Sequence, residues 1–398
     1  MFRKKRVLEV LVATLVLWLL SLHPAASPPS SRRQAAFYTY VPNVDSPRQL
    51  LRTVYSVEAA FNKRYQYDWV FAYYADHEMP AVVKSRLEKL CSGRAIFERI
   101  ESPDYSLPES VDPKGLKDSL RHSALQSPFS KFLQYKLKNR FNTYGFQFLP
   151  SLLNYRYYCN VEVGTELACD IPYDFFKHIQ SQRQIYGFAN APVDSNTITK
   201  KLAPLVQQFA ESANDTLLMR YVFEDGYTGC SFDSNFEVAD LDFFRSKEYA
   251  AVFRQVDETN GFFVDRWTDY HVKTLAISLL VPPNKLFWLD KTGFSGLLGR
   301  TTCPLEEEVR TENHCACDPA NDYAFSSNSG LRRLFHLLDW PLPQSVPPTE
   351  ETQLLPKYRN KLKSRTDAYP LTVEYQTKDP WFKEVFMAIP AHRKDTTS

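Results

Sequence analysis

The side chains best able to do chemistry in this sequence are carboxylates set among aromatic and small residues, and three stretches hold them: residues 157–170, 230–245 and 261–275. A carboxylate in such surroundings can act as acid, base or nucleophile, or can stabilise a cationic transition state. The same surroundings suit helix caps and structural ion pairs. A pair of carboxylates is also what a glycoside hydrolase needs, but nothing beyond the pairing points to one. Seven cysteines stand at 91, 159, 169, 230, 303, 315 and 317. In an oxidising compartment they predict two or three disulfides, with at least one thiol left over or paired between molecules. His314-Cys315-Ala316-Cys317, with Cys303 upstream, has ligand types for zinc but lacks the paired Cys-x-x-Cys spacing of a structural site.

These groups need a scaffold, and its start is legible. Residues 36–41 form a short apolar run, and Pro42-Asn43-Val44-Asp45-Ser46-Pro47 is turn-forming. Leu50, Val54, Val57 and Phe61 then fall on one helical face, with Lys63-Arg64 at its carboxyl end, before the aromatic, β-branched run at 67–74. Strand, helix and buried strand make a βαβ unit, which predicts a largely parallel sheet with right-handed crossovers. No Gly-x-Gly-x-x-Gly or Walker loop follows the first strand, so dinucleotide and ATP-type phosphate sites are not indicated. Residues 103–130 read as an exposed polar excursion, and a dense aromatic block follows at 135–158. Leu202, Leu205, Val206 and Phe209 have helical spacing, and the sequon Asn214-Asp215-Thr216 comes where the chain should return to the surface. Beyond Pro341 the chain is rich in proline, threonine and charge, save an apolar cluster at Trp381-Phe382 and Val385-Phe386-Met387 expected to pack back onto the domain.

Composition bounds the function. The 398 residues are 44% hydrophobic and 14% aromatic, enough for a large core, and 48 basic against 46 acidic residues leave a net charge of +2, which gives no field to recruit nucleic acid. Arg3, Lys4, Lys5 and Arg6 precede an apolar run from Val7 to Leu22 broken only by Glu9. The run reads as a signal anchor about 24 Å long, short of the ~30 Å hydrocarbon core but workable in a thin bilayer with snorkelling basic flanks. The expected layout is a cytosolic tail (1–6), a transmembrane segment (7–22), a stem (23–35), a lumenal domain (36–340) and a carboxyl-terminal extension (341–398). A cleavable signal peptide ending near Ala25-Ala26-Ser27 is the alternative.

The carboxylate stretches together resemble one family. Tyr155-Arg156-Tyr157-Tyr158-Cys159-Asn160-Val161-Glu162-Val163-Gly164, running on to Cys169-Asp170-Ile171-Pro172-Tyr173-Asp174, resembles the segment Y-x-Y-Y-W-R-V-E-P-D…C-D-I-x-Y-D of the fungal KRE/KTR-type α-mannosyltransferases, glycosyltransferase family 15. Ser234-Asn235-Phe236-Glu237-Val238-Ala239-Asp240-Leu241-Asp242-Phe243-Phe244-Arg245 is similar to that family's S-N-F-E-I-x-D-L-x-F-x-R. The run Phe61 to Phe71, Arg140-Phe141-Asn142, Gly261-Phe262-Phe263 before Arg266-Trp267, and Cys303-Pro304 with Cys315-x-Cys317 extend the likeness over roughly residues 36–335.

The resemblance implies a GT-A-like α/β domain in the Golgi membrane. It would transfer mannose from GDP-mannose to an α-mannoside with retention, forming an α-1,2 linkage. It also implies Glu237 as the catalytic carboxylate, and Tyr135, Asn235, Asp269 and Lys273 as substrate-binding residues. The chain departs from the family pattern at the metal. The family's E-P-D reads Glu162-Val163-Gly164, and the histidine of its W-G-D-A-P-V-H falls on Lys273, with His271 two residues away. A basic residue near the first turn becomes Pro42, and an arginine becomes Asn160. Manganese is the cofactor the family implies, and an ammonium cannot ligate it. A rearranged site would rest on Glu162 and His271. Lys273 is instead expected to lie near the donor phosphates as a point charge in place of the metal. A non-catalytic relative that binds mannan or a partner transferase is the rival reading.

Overall fold

The computed structural model describes residues 33–346 except 102–104, 125–131, 195–201, 213–215, 266 and 297–299. The anchor at 7–22, Asn214 and Asp215 of the sequon, Arg266 and the apolar cluster near Trp381 lie outside the described residues. Residues 1–34 separate from 35–398 as a contact unit, and only Arg33 and Gln34 of the first are described. No helix among the described residues is long and apolar enough to cross a membrane.

The second unit is built on a seven-stranded mixed sheet. In chain order its strands are β1 (Arg33–Val41), β2 (Asp68–Tyr73), β3 (Ala95–Arg99), β4 (Tyr155–Val161), β5 (Tyr186–Phe188), β6 (Phe236–Asp240) and β7 (Leu286–Trp288). Their spatial order is β7-β5-β6-β4-β1-β2-β3. The pairs β1/β2, β2/β3 and β5/β7 are parallel, whereas β6 runs antiparallel to both β4 and β5. The predicted βαβ unit is present, with helix α1 (Arg48–Val57) between β1 and β2 and Leu50, Val54, Val57 and Phe61 buried.

Side chains that alternate along each strand supply two cores, as a sheet covered on both faces requires. Tyr38, Tyr40, Val70 and Ala72 join one core, and Phe37, Val41, Trp69 and Phe71 join the other. Part of the family-like sequence serves this scaffold rather than chemistry. The Asn62 side chain accepts from Tyr67 N (2.8 Å) and donates to Tyr67 O (2.9 Å), closing the turn in which Gln66 takes φ 59°. Asp68 accepts from the Tyr155 hydroxyl at 2.6 Å and joins β2 to β4.

The structure corrects the expected excursion at 103–130. It contains a helix, Pro113–Ala124, and Tyr105 and Val111 are buried. The helix 202–212 is as expected, with Leu202, Val206 and Phe209 inward. Cys169–Cys315 and Cys303–Cys317 are disulfides, so the zinc reading of that cluster is set aside. Cys91, Cys159 and Cys230 are free and buried.

Candidate active site

The antiparallel insertion of β6 between β4 and β5 creates the site. It sets Glu237 opposite Asn160 on one side and Phe188 on the other, at the carboxyl ends of β4 and β5, where α/β sheets usually place their ligands. Glu237 therefore stands within a strand, which rules out a helix-start role for it. Its carboxylate is fully buried. Oε1 accepts the Tyr158 hydroxyl at 2.6 Å and a hydrogen bond from the Lys273 ammonium, and Oε2 accepts the Tyr186 hydroxyl at 2.7 Å. Burial pushes the Glu237 carboxyl above its ordinary value, against the pull of Lys273 and the two hydroxyls. The tyrosines are driven upward by burial and by the same charge, and stay protonated donors.

Two helices face this strand end, α2 (Leu133–Thr143) and α3 (Asp269–Leu280). Thr268 and His271 form the capping box that starts α3. His271 Nδ1 accepts from Thr268 N at 3.1 Å, and Nε2 donates to Asp194 at 2.9 Å. Two residues on, about 200° around the helix, Lys273 points the other way, to Glu237 and, at 3.6 Å, to Asp269. Asp269 also accepts the Ser234 hydroxyl at 2.8 Å, and its backbone N–H donates to Asn139 of α2.

Glu162, just past β4, donates its backbone N–H to Asn235 O at 2.9 Å, which continues the β4/β6 ladder and brings two predicted residues together. Its side chain lies 2.5 Å from the Lys138 ammonium of α2. Burial pushes the Glu162 carboxyl up against the opposing pull of Lys138. On Lys138, burial acts against the charge, but Glu162 and Asp269 hold it above its ordinary value. Tyr135, one turn before Lys138, is half-buried, and its ring centroid lies 6.0 Å from that ammonium. Asp194 is held well below the usual carboxylate range: burial raises it, but His271, Arg300 and Tyr270 more than offset that.

Two expectations are corrected here. Lys273 does not lie free near a phosphate position: it is 2% exposed and its charge is spent on Glu237 and Asp269. His271 is no metal ligand, because one ring nitrogen already accepts and the other already donates. Sequence reasoning misses Lys138, since Lys136-Leu137-Lys138-Asn139-Arg140 reads as an ordinary charged helical run. Around the altered positions, the carboxylates of Asp233 and Asp269 are also close enough to act on Glu162. Glu162 carries an ammonium, His271 is committed, and Asn160 Oδ1, buried without a hydrogen-bond partner, contributes one neutral oxygen.

The family model described as glycolipid 2-alpha-mannosyltransferase matches residues 19–338. The chain belongs to this family. It is 31% identical to the probable mannosyltransferase KTR3 of Saccharomyces cerevisiae, over 75% of each chain. It is 30% identical to glycolipid 2-alpha-mannosyltransferase 2 of Candida albicans, over 78% of this chain and 68% of that one. Core-mannan synthase A (CmsA/Ktr4) of Aspergillus fumigatus, solved in a Mn/GDP form, is 26% identical with a TM-score of 0.68, over 78% of this chain and 86% of that one. The S. cerevisiae Ktr4p structure with GDP has the same fold at a TM-score of 0.69 and 21% identity, over 81% of this chain and 85% of that one. This mannosyltransferase-family chain is thus a glycosyltransferase, and the catalytic reading is favoured over a non-catalytic one.

Proposed function

We propose that the chain moves mannose from GDP-mannose to an α-mannoside, with retention and an α-1,2 linkage, and that Glu237 is the carboxylate at the reaction centre. The observation that carries this reading is the placement of Glu237: a buried carboxylate at the carboxyl ends of β4 and β5, with its charge matched by Lys273 and oriented by two tyrosine hydroxyls. Cleavage of the glycosyl–phosphate bond makes the sugar oxocarbenium-like, and a fixed negative charge stabilises that state. Among the described residues Oε2 takes only the Tyr186 hydroxyl, so it keeps acceptor capacity for the developing charge. Lys273 supplies the counter-charge that a carboxylate without solvent contact requires.

Tyr135, Asn235 and Asp269 are the donor-side residues in this reading, because they border the Glu162 and Lys273 pairs. The fold is that of a GT-A-like transferase, anchored by residues 7–22 in the Golgi membrane with this domain in the lumen. Two disulfides support an oxidising lumen.

The test is transfer from labelled GDP-mannose to methyl α-mannoside by the full-length chain, with the linkage read by NMR. The expected product is α-1,2, and Glu237→Gln is expected to lose about a hundredfold or more in rate. A Glu237→Gln protein that melts as a folded protein and transfers at the unaltered rate would remove Glu237 from the reaction centre.

A further inference from the structure

A transferase that uses a nucleoside diphosphate sugar must offset the charge that gathers on the departing diphosphate. At the altered metal positions Glu162 carries an ammonium and His271 is committed, and Lys273, the cation expected to compensate, is turned inward onto Glu237. One other cation stands at the altered position. Lys138 Nζ lies 2.5 Å from Glu162, the one carboxylate left of the family's metal element, and both side chains are about a tenth exposed, at 11% and 9%. Lys138 sits three residues after Tyr135, on the same face of α2, so the tyrosine and the ammonium are presented together. An ammonium has three N–H donors, and among the described residues Glu162 is the only hydrogen-bond acceptor that Lys138 has.

We propose that Lys138 is the diphosphate-binding cation of this transferase, bridging Glu162 to the phosphate oxygens of the donor in the place that a divalent ion would take. This rests on the GDP-mannose reading above. Glu162 then anchors an ammonium instead of ligating a metal. During transfer the glycosyl–oxygen bond breaks with its electron pair going to GDP, and the new bond forms to the acceptor oxygen. The acceptor's hydroxyl proton passes to the departing phosphate oxygen of GDP, and Lys138 keeps its own. The ammonium donates hydrogen bonds that strengthen as the leaving oxygen gains charge.

Calorimetric binding of GDP and of guanosine to the full-length chain separates a contact with the diphosphate from one with the nucleoside, because only GDP carries the diphosphate. In EDTA the unaltered chain is expected to bind GDP with an affinity that added manganese leaves unchanged. Lys138→Met is expected to weaken GDP about tenfold or more while leaving guanosine unchanged. Lys138→Arg, which keeps the charge, is expected to regain most of the loss. GDP binding by the unaltered chain that appears only with manganese overturns the proposal even if no variant folds. So does Lys138→Met with undiminished GDP affinity, or with equal losses for GDP and guanosine. Failure of the unaltered chain to bind GDP under any condition would strike the donor reading itself.

Discussion

The Glu237–Lys273 pair sets the main energetic condition on the site. Both side chains are almost wholly buried, so neither can exchange its partner for water. Removing one and leaving the other is expected to cost about 3–5 kcal/mol, and replacing both with apolar residues of matched volume much less. Chemical denaturation of Lys273→Met, Glu237→Leu and the double variant measures this. A loss in the double variant equal to the sum of the two single losses would mean that the pair is not energetically coupled. Asp194 gives a second handle. Its carboxyl is held below the usual range, so the stability it contributes is present above about pH 3.9, the ordinary aspartate value, and is lost as pH falls toward its lower folded value. Asp194→Asn is therefore expected to lower stability at neutral pH and to flatten its acid limb, read as melting temperature against pH. Glu237 is legible in the sequence because a long motif surrounds it. Lys138 is not, since a lysine in a charged helix looks solvated until α2 is seen to lie against Glu162. The partner of Lys273 is hidden for a related reason: a position matched to a metal ligand says where a side chain starts, not which carboxylate it reaches.

At the scale of elements, the site depends on strands and loops that meet only in three dimensions. Gly187 of β5 lies under the Phe287 ring of β7, where an added Cβ would come within 2.3 Å of the ring. Gly187→Ala is expected to destabilise the β5/β7 edge by about 1–3 kcal/mol through overpacking, measurable by denaturant unfolding. The two disulfides tie the segment 303–317 to itself and to Cys169, with sequence separations of 14 and 146 residues. Cys169→Ala with Cys315→Ala is expected to cost about 2–5 kcal/mol. Peptide mapping under non-reducing conditions should find these pairs, with Cys91, Cys159 and Cys230 alkylated only after unfolding. The first βαβ unit can be read from periodicity because its contacts are local. The antiparallel entry of β6 between β4 and β5 cannot, since it is set by packing across long separations. The helix at 113–124 escapes the sequence reading because its polar face dominates its composition, while Val111 and Tyr105 beside it are buried.

At the scale of the whole molecule, the chain keeps the fold of a mannosyltransferase family and the glutamate of its longest motif, while two lysines are paired with its buried glutamates. One lysine neutralises the buried Glu237, and the other sits on Glu162, the remaining carboxylate of the metal element. On the proposal made above for Lys138, this arrangement transfers mannose without a metal. That proposal is tested most directly by following transfer from labelled GDP-mannose to methyl α-mannoside with the full-length chain, in excess EDTA and again with manganese restored. The predicted result is the same rate in both conditions. Transfer abolished by EDTA and restored by manganese would contradict it.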